Sequence, residues 1–446
     1  MSTTLFKDFA ALSSAQWKQQ IQYELKGGDY ADLIWESPEG IKVKPFYHRD
    51  ADTDQLIPGT ASKFAVCQEI FVHDLEKSAK RAASSLQRGA EEIRFILPTP
   101  VDLSILLQNI PSEVTVFLQP LFADPQYVKK YADFLSPPKC VLLFDPIHHL
   151  VADGNWYAGG DNFKMACEML IKDVPTLSID GRIYQNAGAN IVQQLAYALA
   201  HASEYLHQIT DYREKIIFQM AVGSNYFFEI AKLRALRIAF ASISQVFGHS
   251  GAMHIVAQPS RRNKTLYDYN VNMLRTTTEC MSAILGGADT VQNLPYDALY
   301  HKSNEFGERI ARNQLLILKN ESYFDETRNP ADGSYYIESL TKQLAEKALA
   351  LFKEIEASGG FLKQLREGTI QRKIVAAADR EQSLFDEGKI ILVGTNKYPN
   401  KADRMANDLE LYPFGKVKHR KTLIVPLAEV RLAEKHEQER LNAENA

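Results

Sequence analysis

The feature that most constrains the fold is an alternation that begins near Phe64, in which short apolar segments and amphipathic segments follow each other about eight times. Short apolar runs separated by helical patterns are typical of parallel strands joined by helical crossovers. Eight such units match a closed barrel better than an open doubly wound sheet. We therefore predict an α/β protein built on a (β/α)8 TIM-type barrel, with an N-terminal extended and helical arm and C-terminal helices.

The individual elements follow from the same periodicity. The predicted strands are FAVCQEIFV, EEIRFILP, EVTVFLQ, KCVLLFDPI, TLSIDGRIY, KIIFQMAV, MHIVAQPS and DTVQNLP. Helices are predicted between them over 75–89, 102–110, 124–134, 162–172, 187–207, 226–247 and 269–285, and beyond them over 307–318, 339–357 and 370–386. The segment KIILVGTNKY reads as one more short strand. Because neither GxGxxG nor GxxxxGK[ST] follows a predicted strand, nucleotide-binding folds are disfavoured.

Three regions are predicted. Residues 1–60 form an arm in which Ser13 and Gln16 make a capping box, and Trp17 shares a helical face with later apolar residues. This arm either packs against its own domain or wraps a partner subunit. Residues 61–400 form the barrel, and residues 401–446 form a linker-like, highly charged tail with a helix.

Composition excludes several classes of protein. With a formal net charge of −4 and mixed signs along the chain, there is no basic surface for nucleic acid or an anionic membrane. No run approaches the roughly 18 apolar residues of a membrane-spanning helix. The four cysteines are far apart and make no metal-ligand spacing, which is typical of reduced thiols in a cytoplasmic protein.

The stretch TLSIDGRIYQNAGANIVQQLAYALAHASEYL, where a strand meets a turn and a long helix, is the best candidate for a site. In repeated strand-helix folds, the turns after the strands usually carry the chemistry. Asp180 and Arg182 lie two apart there, and Ile183 follows. The pair is expected to form a salt bridge that closes the barrel mouth, or else to clamp a substrate carboxylate.

Other candidates have structural alternatives. Asp145 follows a buried strand, but an Asp-Pro pair is also typical of a turn or helix cap. His148 and His149 are adjacent and point apart, so they are not expected to share a metal ion. Arg261, Arg262 and Lys264 form a basic loop that can meet a phosphate or, more commonly, remain solvated.

Six blocks of sequence extend the interpretation. They are WESPEGIKVKPFY, FQMAVGSNYFFEIAKLRALR, LRTTTECMSAILGG, GERIARNQLLIL, NPADGSYYIESLT and VGTNKY. Taken in order, these blocks closely resemble the methylmalonyl-CoA mutase family of adenosylcobalamin-dependent isomerases. The resemblance implies an arm that wraps a partner, a barrel of the methylmalonyl-CoA mutase type that threads coenzyme A through its axis, and a separate cobalamin-binding domain.

The departures from that family pattern concern its functional positions. The tyrosine and histidine of a Ser-Gly-Tyr-His block correspond to Arg182 and Ile183, and isoleucine cannot donate a proton or hydrogen bond to a thioester carbonyl. An Asn and a Glu that contact the adenosyl ribose correspond to Leu294 and Ala298. Two more blocks of substrate-facing residues are replaced by PGTASKFAVCQEI and AQPSRRNKTLYD. No catalytic residue is therefore expected in this chain.

No cofactor-binding or metal-binding residue is expected either. The Asp-x-His-x-x-Gly signature that supplies the axial cobalt ligand in the family does not occur. Bulky residues on the predicted strands are expected to fill the barrel axis and leave no coenzyme A tunnel. These residues are Phe71, Phe95, Phe117, Leu142, Leu143 and Phe218.

The resemblance and the departures together predict a non-catalytic small subunit of a heterodimeric methylmalonyl-CoA mutase. A large catalytic subunit would be its partner and would carry the adenosylcobalamin. Self-association of the isolated chain through the same face stays open. The alternatives are an acyl-CoA-binding barrel that acts with a separate cobalamin domain, and a regulatory pseudoenzyme that binds a ligand.

Overall fold

The computed structural model describes residues 11–50, 57–58, 63–124, 126–127, 139–157, 176–209, 212, 214–415 and 420–444. Two short strands of the arm, β1 (Trp35–Glu36) and β2 (Lys42–Val43), pair antiparallel. The barrel strands are β3 (Ala65–Phe71), β4 (Glu92–Leu97), β5 (Thr115–Pro120), β6 (Lys139–Leu142), β7 (Ser178–Asp180), β8 (Ile216–Val222), β9 (Met253–Pro259) and β10 (Thr290–Gln292).

The eight barrel strands form one parallel sheet that curves almost into a closed ring. Its order is β6-β5-β4-β3-β10-β9-β8-β7, so the first and last barrel strands pair with each other. Neighbours in space are therefore neighbours in sequence, as right-handed helical crossovers require. The predicted (β/α)8 TIM-type barrel is confirmed, and all eight predicted strand positions are found.

Helices surround this sheet. In the described part of the chain they are Ser14–Glu24, Leu75–Gln87, Leu103–Leu107, Pro146–Asp153, Arg182–Asn186, Ile191–Gln208, Tyr226–Ser244, Val271–Leu285, Glu305–Asn320, Tyr335–Ala357, Phe361–Arg366, Thr369–Asp386 and Glu434–Glu444. The predicted helices 124–134 and 162–172 lie almost entirely outside the described residues. None of the helices that are described is long and apolar enough to cross a bilayer.

Two predicted strands need correction. The strand TLSIDGRIY ends at Asp180, because Gly181 begins a turn and Arg182–Asn186 is a short helix. The segment KIILVGTNKY is not a strand. It forms a turn closed by an isolated bridge between Val393 and Lys397, with Gly394 at a φ of +83° that favours glycine.

Successive side chains of each strand point alternately towards the barrel axis and towards the surrounding helices. One cluster brings together residues of β3, β5, β8 and β9 and the residue that follows β6, which is only possible inside the ring. Its members are Cys67, Phe117, Leu143, Ile217 and Val256. Phe117 and Leu143 therefore lie on the axis, as predicted.

The other bulky strand residues do not fill the axis. Phe95, Leu142 and Phe218 belong to the large core between sheet and helices, and the Phe218 ring meets Phe240 of Tyr226–Ser244 at 5.0 Å. The prediction for these three is wrong, because they lie one residue out of the inward register. Phe71 is at the end of β3 and is 47% exposed, so it does not fill the interior either.

The arm packs on its own domain over part of its length. Ser13 and Gln16 make the predicted capping box. Trp35 meets Phe228 with ring centroids 5.7 Å apart, and Ile41 is fully buried. The helix Ser14–Glu24, in contrast, has no buried residue.

Candidate functional site

The carboxyl ends of β6 and β7 are joined through Asp145 rather than through a backbone ladder. One Asp145 oxygen accepts hydrogen bonds from the Tyr205 hydroxyl at 2.7 Å, from His201 Nε2 at 2.9 Å and from the His148 amide at 2.9 Å. The other oxygen accepts from the Asp180 amide of β7 at 2.7 Å. Asp145 is thus the N-cap of Pro146–Asp153 and the link between two strands, which is the structural role that its Asp-Pro sequence allowed.

The environment of Asp145 keeps it ionised. Burial alone would raise the pKa of this carboxyl, but the adjacent His201 and the hydrogen bonds outweigh burial and hold the pKa below its usual value. A buried carboxylate that accepts this many hydrogen bonds stabilises the fold.

The predicted salt bridge of Asp180 and Arg182 is present at the barrel mouth. Arg182 donates from Nε to one Asp180 oxygen at 2.8 Å and from Nη2 to the other at 2.5 Å, while Nη1 donates to Gln258 of β9 at 2.8 Å. Burial opposes the charge on Asp180, yet the attraction of Arg182 holds the pKa of Asp180 well below its ordinary value. Arg182 thus engages both oxygens of Asp180 and links β7 to Gln258 of β9 at the barrel mouth.

A second guanidinium lies deeper, on the barrel axis. Arg94 of β4 is fully buried and donates to Gln292 of β10 at 3.1 Å, to Gln219 of β8 at 2.5 Å and to Gln119 of β5. Its Nε lies 3.8 Å from a Glu69 oxygen. Burial lowers the pKa of Arg94 to about 10, which still leaves the group charged at neutral pH. This polar layer, from five strands, occupies the centre of the ring above the apolar cluster.

Arg94 is not among the site residues that the sequence predicts. The signal was available, since an arginine in the middle of the apolar strand EIRFIL has no solvent-facing position in a sheet covered by helices. Its glutamine partners were also inside predicted strands. The sequence does not show that β4, β5, β8 and β10 direct these four polar side chains at one point.

The structure places the four positions that the resemblance aligns with functional residues of the family. Ile183 is 4% exposed and belongs to the core between sheet and helices. Leu294 is also buried, and Ala298 lies in a turn where its amide donates to the Pro295 carbonyl at 3.1 Å. Arg182 is the only polar residue among the four positions, and Asp180 neutralises it.

The basic loop after β9 is not the solvated charge that was expected. Arg262 is buried and pairs with Glu381 at 2.5 Å, and Lys264 is buried against Glu279 at 2.7 Å. Of the three basic residues, only Arg261 is exposed. The expectation is wrong for Arg262 and Lys264, because the fold places Glu381 and Glu279 against the loop and local sequence patterns do not reveal these contacts.

The histidines of this region do not fit an axial cobalt ligand. His148 contacts the Asp180 carbonyl at 3.1 Å, and His149 stacks on Tyr157 with ring centroids 3.6 Å apart. Burial lowers the pKa of His149 to about 4. His201 is fully buried between Tyr184 and Asp145. Among the described residues, no three His, Cys, Asp or Glu side chains are grouped so as to hold a metal ion.

Comparison with known proteins decides the family. Residues 160–444 match the family described as Methylmalonyl-CoA mutase. The "Methylmalonyl-CoA mutase small subunit" of Porphyromonas gingivalis is 34% identical over 445 residues, which cover 89% of this chain and 71% of that protein. The chain belongs to the methylmalonyl-CoA mutase family. The resemblance seen in the six sequence blocks is thereby confirmed.

Other members of the methylmalonyl-CoA mutase family are longer than the matched region. The "Methylmalonyl-CoA mutase" of Cereibacter sphaeroides is 36% identical over 86% of this chain, but the match spans 64% of that protein. For the Escherichia coli protein of the same name the identity is 38%, with 50% of this chain and 33% of that protein covered. Among solved structures, dihydropteroate synthase (FolP) from Thermus thermophilus is 13% identical, with a TM-score of 0.33 over 58% of this chain and 94% of that one.

Proposed function

We propose that this chain is the non-catalytic small subunit of a heterodimeric, adenosylcobalamin-dependent methylmalonyl-CoA mutase. The complex would interconvert methylmalonyl-CoA and succinyl-CoA, as part of propionate metabolism. The chain itself would support the large catalytic subunit and would be inactive alone. The observation that carries this proposal is the barrel interior, where the layer around Arg94 and the apolar cluster beneath it fill the axis.

The arrangement of charges supports an inactive barrel. A catalytic site needs a group that is free to exchange a proton or to stabilise developing charge. At this mouth Asp180 is held by Arg182, and Asp145 is held by four donors. Among the described side chains at this mouth, Asp145, Asp180 and Arg182 are each already paired, which supports a stabilising role for them.

The cofactor belongs to the partner in this proposal. Adenosylcobalamin supplies radical chemistry when it is bound, and the large subunit would hold it. The residues described above do not fit the group, because the available histidines are stacked or hydrogen-bonded within the fold. No step is assigned to this chain.

The partner surface is assigned to the arm. The helix Ser14–Glu24 exposes Trp17 and Tyr23, which are 46% and 81% accessible. Exposed aromatic side chains of this kind are typical of protein interfaces. The arm would therefore bind the large subunit, and binding would stabilise both chains by mass action.

The proposal is tested by assaying the full chain with adenosylcobalamin and methylmalonyl-CoA, first alone and then with a large mutase subunit. We expect no turnover by the chain alone and a stable one-to-one complex with the large subunit. Turnover by the chain alone would refute the non-catalytic role. A complex that does not form would refute the subunit role.

A further inference from the structure

A cavity of about 550 Å³ lies at the carboxyl end of the barrel, between the loops that follow its strands and the helix Thr369–Asp386. The arm forms one side of it through Trp35 and Glu39, and the loops after β8 and β9 form another. This volume is within the roughly 300–1,000 Å³ that is typical of small-molecule sites. The cavity does not include the barrel axis or the pair of Asp180 and Arg182.

One face of the helix Thr369–Asp386 lines the cavity. Lys373, Ala377, Arg380 and Leu384 follow each other at spacings of four, three and four residues, which places them on one side of a helix. Seven residues of helix rise by about 10 Å. Lys373 and Arg380 are therefore about 10 Å apart along the helix axis, and the small side chain of Ala377 leaves space between them.

Neither cation has an acidic partner in the part of the chain that the structure describes. Among the described residues, no carboxylate lies within 4.0 Å of Lys373 or Arg380. The other charged groups of the cavity wall are largely neutralised, since Arg262 pairs with Glu381 and the Glu229 carboxylate is held by Lys232. Glu39 is the remaining acid, and burial raises the pKa of its carboxyl. The two exposed cations of Thr369–Asp386 therefore face a cavity whose one acid without an ion pair among the described residues is Glu39, on the arm.

The rest of the lining consists of apolar and of uncharged polar side chains. Ile390, Leu392 and Leu432 contribute an apolar wall. The lining also includes Ser224 and Asn225, which precede the helix Tyr226–Ser244, and Asn225 does not cap that helix with its side chain. A molecule in this space would meet cations at one end, hydrocarbon along its body and uncommitted polar groups.

We propose that this cavity binds an amphipathic organic anion, with its acidic group at Lys373 and Arg380 and its apolar body against Ile390, Leu392 and Leu432. Such a ligand would connect the arm, the loops after the strands and the helix Thr369–Asp386. It would stabilise their packing, because it binds the folded chain and not the unfolded one. The lining includes neither the Asp180–Arg182 pair nor the layer around Arg94, so the proposal does not depend on whether the barrel is catalytic.

The test uses the full chain and two fluorescent probes of nearly the same shape. 8-Anilinonaphthalene-1-sulfonate carries an anionic group, and N-phenyl-1-naphthylamine lacks it. We expect the anionic probe to bind one site per chain. Its affinity should fall at least tenfold in the double variant K373E/R380E, while the affinity of the neutral probe should change less than twofold.

A second variant and a matched control separate the site from general surface effects. Ala377→Trp fills the cavity and should abolish binding of both probes. The double variant K353E/R309E reverses two exposed cations elsewhere and should bind like the wild-type chain. Circular dichroism checks that each variant is folded. No saturable binding by the wild-type chain, or binding that K373E/R380E leaves unchanged, would overturn the proposal. If Ala377→Trp does not fold, the comparison of K373E/R380E with the wild-type chain still tests the proposal.

Discussion

At the scale of single residues, Arg94 is the side chain on which the barrel interior most depends. It reaches Gln119, Gln219 and Gln292 from a fully buried position, so its removal would leave three acceptors unpaired inside the ring. Removing one member of a buried network of charges and hydrogen bonds destabilises the fold, because the remaining polar groups stay buried without a hydrogen-bond partner.

We expect Arg94→Met to lower the free energy of unfolding by about 3 kcal/mol. Urea denaturation followed by circular dichroism measures the change. Arg309→Met, at an exposed position, is the matched control and should change stability little. An Arg94→Met chain as stable as the wild type would show that the polar layer is not needed to fill the axis.

Glu92, at the amino end of the barrel, predicts a dependence of stability on pH. It is buried and accepts a hydrogen bond from Thr290 at 2.6 Å, and Thr290 in turn contacts His254 at 2.8 Å. Burial raises the pKa of Glu92 to about 7. Between pH 4.5 and about 7, the folded state therefore binds a proton at Glu92 that the unfolded state releases. The stabilisation of the folded state by this proton is complete below pH 4.5 and is lost as pH rises through about 7.

Glu92→Gln should remove that contribution and leave the variant more stable than the wild type above pH 7, by on the order of 2 kcal/mol. The difference between the two chains, measured by urea denaturation from about pH 5 to about pH 8, isolates Glu92. Burial also lowers the pKa of His254, and this opposing effect is common to both chains. Parallel stability curves for the two chains would contradict the assignment.

At the scale of elements, the seam between β6 and β7 is held by a side chain. Asp145 receives the Asp180 amide on one oxygen and three donors on the other. This replaces the backbone ladder that joins the other neighbouring barrel strands in the described part of the chain.

Asp145→Ala should therefore destabilise the chain by about 3 kcal/mol and loosen this side of the ring first. Hydrogen exchange is the direct readout. The amides of Asp180 and His148 should lose protection, while those of β3 and β10, on the opposite side of the ring, should keep it. Equal loss of protection in all strands would argue against a local seam.

The sequence predicted elements better than it predicted their ends or partners. Apolar periodicity located all eight barrel strands, but it extended β7 across Gly181, where the chain turns into the helix Arg182–Asn186. It also assigned Phe95 and Phe218 to the axis, because the strands are apolar on both faces and do not show which one is inward. The pairing of Arg262 with Glu381 joins residues more than a hundred positions apart, which local patterns do not show.

At the scale of the whole molecule, the exposed arm is expected to serve assembly more than folding. The helix Ser14–Glu24 has no buried residue, and its amide at Ser14 meets Asp50, also in the arm, at 2.8 Å. We expect removal of residues 1–27 to leave the thermal midpoint of the isolated chain within a few degrees. The same deletion should weaken binding to a large mutase subunit at least tenfold in titration calorimetry. Unchanged binding would place the interface elsewhere on the barrel.

A barrel whose axis is filled by its own side chains has no room for acyl-CoA. Equilibrium dialysis of labelled methylmalonyl-CoA against the isolated chain and against its complex with a large subunit tests this. We expect no site on the isolated chain and one site per heterodimer. One saturable site on the isolated chain, lost when the barrel mouth is altered by Arg182→Trp, would contradict this expectation.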